Sequence, residues 1–307
     1  MNHPVPGSVT VAAPAKINLH LGVGPARPDG FHTLATVYQA IGLYDEVTVR
    51  RSSATTLSVV GDGVDVTDVP TGPGNLALRA AALLAEHAGV ADAAVEMSIH
   101  KRIPVAGGMA GGSTDGAAAL LACHKLWGLD LPRNELLRLA AELGSDVPFC
   151  LVGGTAAGTG RGELVTPVDD AGSYWWVVAT SETGLSTPAV FAEFDRRHAG
   201  AVVPEPEVPG GLLDALATGD PAALAAALGN DLEAPALTLR PDLAGLLKLG
   251  GEPPALGSLL SGSGPTCLFL AAEEAQALAV RDHLRGAGVT ALVAPAPVPG
   301  AHVVATL

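Results

Sequence analysis

Residues 104–114 read PVAGGMAGGST: Gly107, Gly108, Gly111 and Gly112 surround Met109 and Ala110, and the hydroxyls of Ser113 and Thr114 follow. Without Cβ atoms, such a backbone can take left-handed turns and approach a ligand closely. A helix pattern, TDGAAALLACHKLWG, comes next. The first N–H groups of a helix have no internal partner and carry the positive end of its dipole. Loop and helix start together make an anion site suited to a polyphosphate. The helix is expected to begin near Ser113 or Thr114, which would then cap it or offer a hydroxyl to phosphate or Mg²⁺. Two common phosphate loops do not fit. The P-loop spacing runs from Gly107 to Gly112 but has Ser113 where its lysine belongs, and Met109 occupies the second glycine position of G-x-G-x-x-G. Composition alone also permits a flexible loop before an ordinary helix.

Three further stretches hold side chains able to do chemistry. PAKINLHLGVGPARPDGFH (14–32) puts Lys16 and Asn18 on one face of a strand, then Arg27, Asp29, Gly30, Phe31 and His32 in a turn. LGSDVPFCLVGG (143–154) puts Asp146 after one helix and before Pro148. LLSGSGPTCLFL (259–270) is a second Gly/Ser loop that runs into a strand.

The elements that must position these groups read as α+β. VTVAAPAKINLHLGV, LATVYQAIGLYDEVTVRR and AVEMSIHK have strand character. NLALRAAALLAEHAG reads as a helix capped by Asn75 and stopped by Gly89, and PRNELLRLAAELG as one opened by Pro132 and closed by Gly144. Strand character returns over 150–187, clearest in SYWWVVAT, and a short helix is expected after Pro188. GAVVPEPEVPGG (200–211) is a loop, followed by short Ala/Leu helices through 212–250. TCLFLA and AHVVATL are strands around the helix EEAQALAVRDHLRG. Strands first and helices after argue against a regular βαβ array.

The 307 residues suffice for two ordinary domains. Acidic residues number 31 against 17 basic ones, a net charge of −14, which argues against a nucleic-acid partner. An anionic small-molecule substrate requires the few cations to be concentrated at its site. Cys123, Cys150 and Cys267 are too few and too scattered for a disulfide framework or zinc cluster and read as buried free thiols. The start, MNHPVPGSVTV, has no signal-peptide pattern, and no apolar run reaches the ~18 residues of a membrane span. The expectation is a cytoplasmic protein without a membrane partner.

The four motifs, in this order, resemble the GHMP kinase superfamily, and NDLEAPAL (230–237) is similar to the superfamily's C-terminal domain. PAKINLHL…RPDGFH with LGSDVPF and LSGSGPTCLF is most similar to a branch that phosphorylates the 2-hydroxyl of a cytidyl diphosphate alcohol in non-mevalonate isoprenoid biosynthesis. The resemblance implies a two-domain fold, 1–155 and 156–307, with the active site in the cleft between them. It implies that Asp146 is the catalytic base and Lys16 the catalytic lysine. A cation beside the base would keep it ionised and offset charge on the transferring phosphoryl. Asn18 would bond the acceptor hydroxyl or the aspartate. Phe31, His32, Thr187 and Phe191 would hold the substrate, the aromatics stacking on cytosine and His32 donating and accepting at its edge. Phe31 departs from the commoner Tyr-His pattern and lacks the phenol. ATP, the co-substrate, would meet Lys101, the loop Pro104, Val105, Ala106, Gly107, Gly108, Met109, Ala110, Gly111, Gly112, Ser113 and Thr114, and Ser263 and Gly264 of the second loop. Lys101 and Arg102, before the loop, are either neighbours of ATP, domain-closing charges or ordinary solvated charges. No carboxylate cluster offers a metal cage, so Mg²⁺ would be held mainly by ATP phosphates and water. The implied assembly is a monomer or weak homodimer. A homoserine- or mevalonate-type kinase and a catalytically silent binding protein of the same fold remain the alternatives. The PDGFH turn speaks against the first and the Lys16/Asp146 pair against the second.

Overall fold

A computed structural model describes residues 7–105, 107–181 and 183–307. The first half contains β1 (Ser8–Ala26), β2 (His32–Arg51), β3 (Thr56–Gly61), α1 (Leu76–Ala88), β4 (Val95–Lys101), α2 (Gly111–Leu126), α3 (Arg133–Leu143), α4 (Val147–Val152), β5 (Thr155–Thr159) and β6 (Leu164–Pro167). The second contains β7 (Tyr174–Ala179), α5 (Thr187–Arg197), α6 (Gly210–Thr218), α7 (Pro221–Ala227), β8 (Gly229–Asn230), α8 (Glu233–Leu239), α9 (Asp242–Gly250), β9 (Gly257–Leu260), β10 (Cys267–Ala271), α10 (Glu274–Gly286), β11 (Ala291–Ala296) and β12 (His302–Thr306).

Two sheets organise these elements. The larger runs β12-β1-β2-β4-β3, with β5 and β6 continuing from β2 and the short β8 parallel to β1. The smaller is antiparallel, in the order β11-β7-β10-β9. The expected division at 155/156 does not follow sheet membership, because β6 and β12 both join the larger sheet. β1 is buried along nearly its whole length, as a strand covered on both faces must be. Its pairing with β2 shifts register between Pro14 and Ala15 and again between Asn18 and His20. Lys16 and Asn18 lie between those two irregularities, where a local kink re-aims side chains.

The helix α1 forms as its sequence predicts. Asn75 accepts the Ala77 N–H, and Gly89, at φ 64°, closes the last turn. Helix α2 begins earlier than expected. Its cap is Ala110, and Gly111 to Thr114 lie inside its first turn, so neither Ser113 nor Thr114 caps it. Alanines 117, 118, 119 and 122 are fully buried, and these small side chains let α2 pack inside the core of the first half. Further differences have local reasons. α4 lies where strand was expected, because Pro148 sits in its first turn, where a missing N–H costs nothing. α5 starts at Thr187, before Pro188, for the same reason. β3, β9 and β11 escape the pattern. β11 reads ALVAPA, and its Pro295 is tolerated at a sheet edge.

Candidate active site

The phosphate loop is built from strain and close packing. Gly108 has φ 71°, and Ala110, at φ 60°, is the non-glycine residue with positive φ among the described residues. A left-handed alanine stores about 1 kcal/mol or more, a cost met at functional loops. The Met109 side chain is buried in the core, so only its backbone faces the loop. Its carbonyl accepts the backbone N–H of Lys16 at 3.3 Å. The loop is thereby stitched to β1 at the lysine itself. The second Gly/Ser loop packs on top. A Cβ on Gly108 would lie 3.0 Å from the Gly264 carbonyl oxygen and 3.2 Å from that of Ser261. The Thr266 hydroxyl donates to the Gly107 carbonyl. Ala106 lies outside the described residues.

Both loops line a cavity of about 660 Å³ that takes residues from each half of the chain. Lys16, Asn18 and Asp146 are on one wall. The Lys16 Nζ donates to Asn18 Oδ1 at 2.8 Å and stands 3.8 Å from Asp146 Oδ2. Asp146 occupies the cap position of α4, yet its side chain accepts no capping hydrogen bond and stays part-exposed, facing the lysine. Asn18 does not bond the aspartate. It holds the lysine. Tyr38 lies across the strand pair from Asn18, and Lys16 Nζ is 5.4 Å from its ring centroid. Burial, and then the Asp146 charge, push the Tyr38 phenol up, so it stays protonated.

Several expected contacts fall elsewhere. Thr114 donates to the Pro14 carbonyl at 3.0 Å and is fully buried, so its hydroxyl locks α2 to β1 and is unavailable to phosphate or metal. Ser113 is half-buried at the cavity end of α2. Lys101 lines the cavity, but its ammonium is committed to Asp45 and Asp115. Asp45 also accepts the backbone N–H groups of Arg102 and Ile103 at 2.7 and 2.9 Å. Burial works to lower the Lys101 pKa, but the charges of Asp115 and Asp45 outweigh it and the net shift is upward. Burial, reinforced by Asp45 and opposed by Lys101, pushes the Asp115 carboxyl up to about 8. Arg102 is exposed and pairs with Glu46 and Asp62. Ser263 and Thr187, assigned to different ligands, hydrogen-bond each other at 2.7 Å across the cavity mouth.

At the far end, Phe191 lines the cavity and His32 stacks behind it, with ring centroids 5.1 Å apart. His32 Nδ1 lies 2.8 Å from the Gly24 carbonyl, and Nε2 lies 3.4 Å from Asp195. Both ring nitrogens therefore already face protein groups, which competes with the expectation that they read a pyrimidine edge. Phe31 is half-exposed and, like His32, does not line the cavity; the Arg161 guanidinium, which does, lies 5.0 Å from its ring centroid.

Two parts of the cavity went unread in the sequence. Arg161, in the turn between β5 and β6, lines it with its cation. Asp68, Val69, Pro70, Asn75 and Leu76 form a wall on the other side of the phosphate loop. The run of turn residues before α1 was the available signal for that wall.

Among the described residues, no three His, Cys, Asp or Glu side chains group as a metal cage, and no helix is long and apolar enough to cross a membrane. The three cysteines are free and buried, and burial pushes each thiol up to about 12.

Residues 75–154 match the family model for the GHMP kinases N-terminal domain, and 212–290 match that for the GHMP kinases C-terminal domain. A 4-diphosphocytidyl-2-C-methyl-D-erythritol kinase of Nocardioides sp. is 56% identical over 95% of this chain and 98% of its own. The protein of that name from Streptomyces avermitilis is 54% identical over 96% and 99%. A crystal structure of 4-(cytidine 5'-diphospho)-2C-methyl-D-erythritol kinase superposes with a TM-score of 0.76 at 33% identity, covering 93% of this chain and 98% of its own. A homoserine kinase from Cytophaga hutchinsonii shares the fold, with a TM-score of 0.74 at 18% identity over 99% of each chain.

Proposed function

The chain belongs to the GHMP kinases, and from that premise we propose that it transfers the γ-phosphoryl of ATP to the 2-hydroxyl of 4-diphosphocytidyl-2-C-methyl-D-erythritol. The observation that carries this reading is one cavity holding a glycine loop, a lysine–aspartate pair beside it and the aromatic ring of Phe191 beyond. The loop N–H groups and the start of α2 receive the ATP phosphates. The wall from Asp68 to Leu76 receives the base. Mg²⁺ accompanying ATP would be held mainly by the phosphates and water and would supply charge compensation there.

Asp146 Oδ2 takes the proton of the acceptor hydroxyl as that oxygen attacks the γ-phosphorus and the bond from phosphorus to the β–γ bridging oxygen breaks, with ADP as the leaving group. Phosphoryl transfer has a loose transition state, so positioning and charge compensation matter more than a strong base. Lys16 supplies the compensating charge beside the reacting oxygens. Thr187 and Phe191 stand on the acceptor side, with Phe191 stacking on the pyrimidine, His32 backing Phe191, and Phe31, under the Arg161 guanidinium, able to close over the base. Arg161 meets the acceptor's diphosphate.

Turnover of MgATP with three acceptors tests the proposal: the cytidyl compound, homoserine and mevalonate. Fastest phosphorylation of the cytidyl compound is expected. Faster use of either other acceptor refutes it, and ATP binding without turnover of any acceptor points to a silent binding protein.

A further inference from the structure

Thr36, in β2, is fully buried and touches no open part of the cavity. It nevertheless ends a hydrogen-bond chain that begins at the reacting groups. An ammonium only donates, so the atom of Asn18 that faces Lys16 at 2.8 Å must be the carbonyl oxygen. The Asn18 amide nitrogen then points the other way, to the Thr36 hydroxyl oxygen at 2.8 Å. That oxygen accepts there, so its own proton goes to the His20 carbonyl, 2.6 Å away. The donors and acceptors allow this one arrangement, and every link in it is satisfied.

We infer that Thr36 is a positioning residue for phosphoryl transfer: its hydroxyl fixes the orientation of the Asn18 amide, and Asn18 in turn holds the Lys16 ammonium beside Asp146. The inference rests on the reading of Lys16 and Asp146 given above. The register shift between Asn18 and His20 supports it. Regular strand pairing is interrupted there, and the hydroxyl supplies a bond that ties the kink together. Without it, the buried amide loses its acceptor and the His20 carbonyl loses a donor. The amide is then free to turn, and one of its two orientations would aim N–H groups at an ammonium.

Three variants test this. Thr36→Val keeps the branched shape and removes the hydroxyl. Misplacement of a reacting group by about 1 Å can cost ~10²-fold, so kcat should fall by about 10- to 100-fold, with KM for both substrates changed less than about threefold. Thr36→Ser should recover most of the lost kcat. In a Lys16→Met background, Thr36→Val should lower the residual kcat by less than about threefold, because its effect passes through the lysine. If Thr36→Val does not fold, Thr36→Cys against Thr36→Ser makes the same comparison with a weakly bonding thiol. Equal impairment of the serine and valine variants, or a full additional loss in the Lys16→Met background, overturns the inference. A Lys16→Met protein with unchanged kcat would instead refute the catalytic reading itself.

Discussion

Replacing Asp146 by Asn separates catalysis from stability, because the structure assigns the side chain little structural work. The carboxylate accepts no capping bond from α4, is about one-third exposed, and has its nearest cation at 3.8 Å. Lys16, however, is only 8% exposed, so losing the carboxylate costs more than the ~0–1 kcal/mol of an exposed pair, about 1–3 kcal/mol. Asn is nearly isosteric, so the fold should persist. For a chain of this size each kcal/mol lowers Tm by ~2–4 °C. The chemical cost is larger. Asn cannot take the acceptor's proton and brings no charge to the Lys16 pair. General-base assistance is worth ~10²–10⁴-fold. The loss should fall on kcat, since the proton moves in the transition state, while both KM values stay within a few fold. Steady-state kinetics with both substrates, beside a thermal melt followed by circular dichroism, read the two quantities. If the variant keeps more than about a tenth of wild-type kcat, below even the low end of base assistance, then Asp146 is a turn residue and the base lies elsewhere.

Gly108→Ala places a Cβ 3.0 Å from the Gly264 carbonyl oxygen at a residue with φ 71°. The two loops must then separate, so KM for ATP should rise at least about tenfold, and unchanged ATP affinity in a folded variant would mean that loop contact does not shape the phosphate site. Arg161→Gln removes a cavity-lining cation whose side-chain partner is Glu163, at 3.6 Å. KM for the cytidyl substrate should rise about 10-fold or more with kcat nearly kept, as for a lost ground-state contact, and an unaltered KM would remove Arg161 from the substrate site. Asp115→Asn should alter the pH dependence of stability. The folded carboxyl is raised to about 8, so between its unfolded value and that pH, unfolding releases its proton and stability falls as pH rises. Melting temperatures at pH 6 and pH 8.5 should therefore show the variant gaining on the wild type as pH rises, and parallel curves would refute the assignment.

What the sequence showed depended on how local each signal was. The caps at Asn75 and Gly89 were readable because a helix end needs a particular side chain or φ at one position. Lys16 and Asn18 sharing a face followed from the period of a strand. The start of α2 was misread because Ser113 and Thr114 are good caps, but the left-handed turn at Ala110 begins the helix earlier and draws Thr114 inward to Pro14. Lys101 reads from the sequence as a neighbour of ATP, a domain-closing charge or a solvated one. It became a buried partner because Asp45 and Asp115, distant in sequence, converge on it. Thr36, Tyr38 and Arg161 had no local signal, since their roles arise from strand pairing and a turn between strands.

The acidity of the chain raised the question of how it could hold polyphosphates, and the cavity answers it. Lys16, Lys101 and Arg161 are the cations that line it. Asp45 faces Lys101, Asp146 stands near Lys16 and Glu163 lies 3.6 Å from Arg161, so side-chain charge alone does not make the phosphate end positive. The remaining attraction comes from backbone N–H groups and the start of α2, fixed dipoles that need no net charge. That explains why strain is accepted at Ala110 and close packing at Gly108: the geometry of the backbone is itself the binding group, and side chains beneath it serve to hold that geometry. A lysine left free at the loop would bind anions more generally. One buried among carboxylates ties α2 to β2 and β4, and leaves recognition to a cradle whose shape is specific.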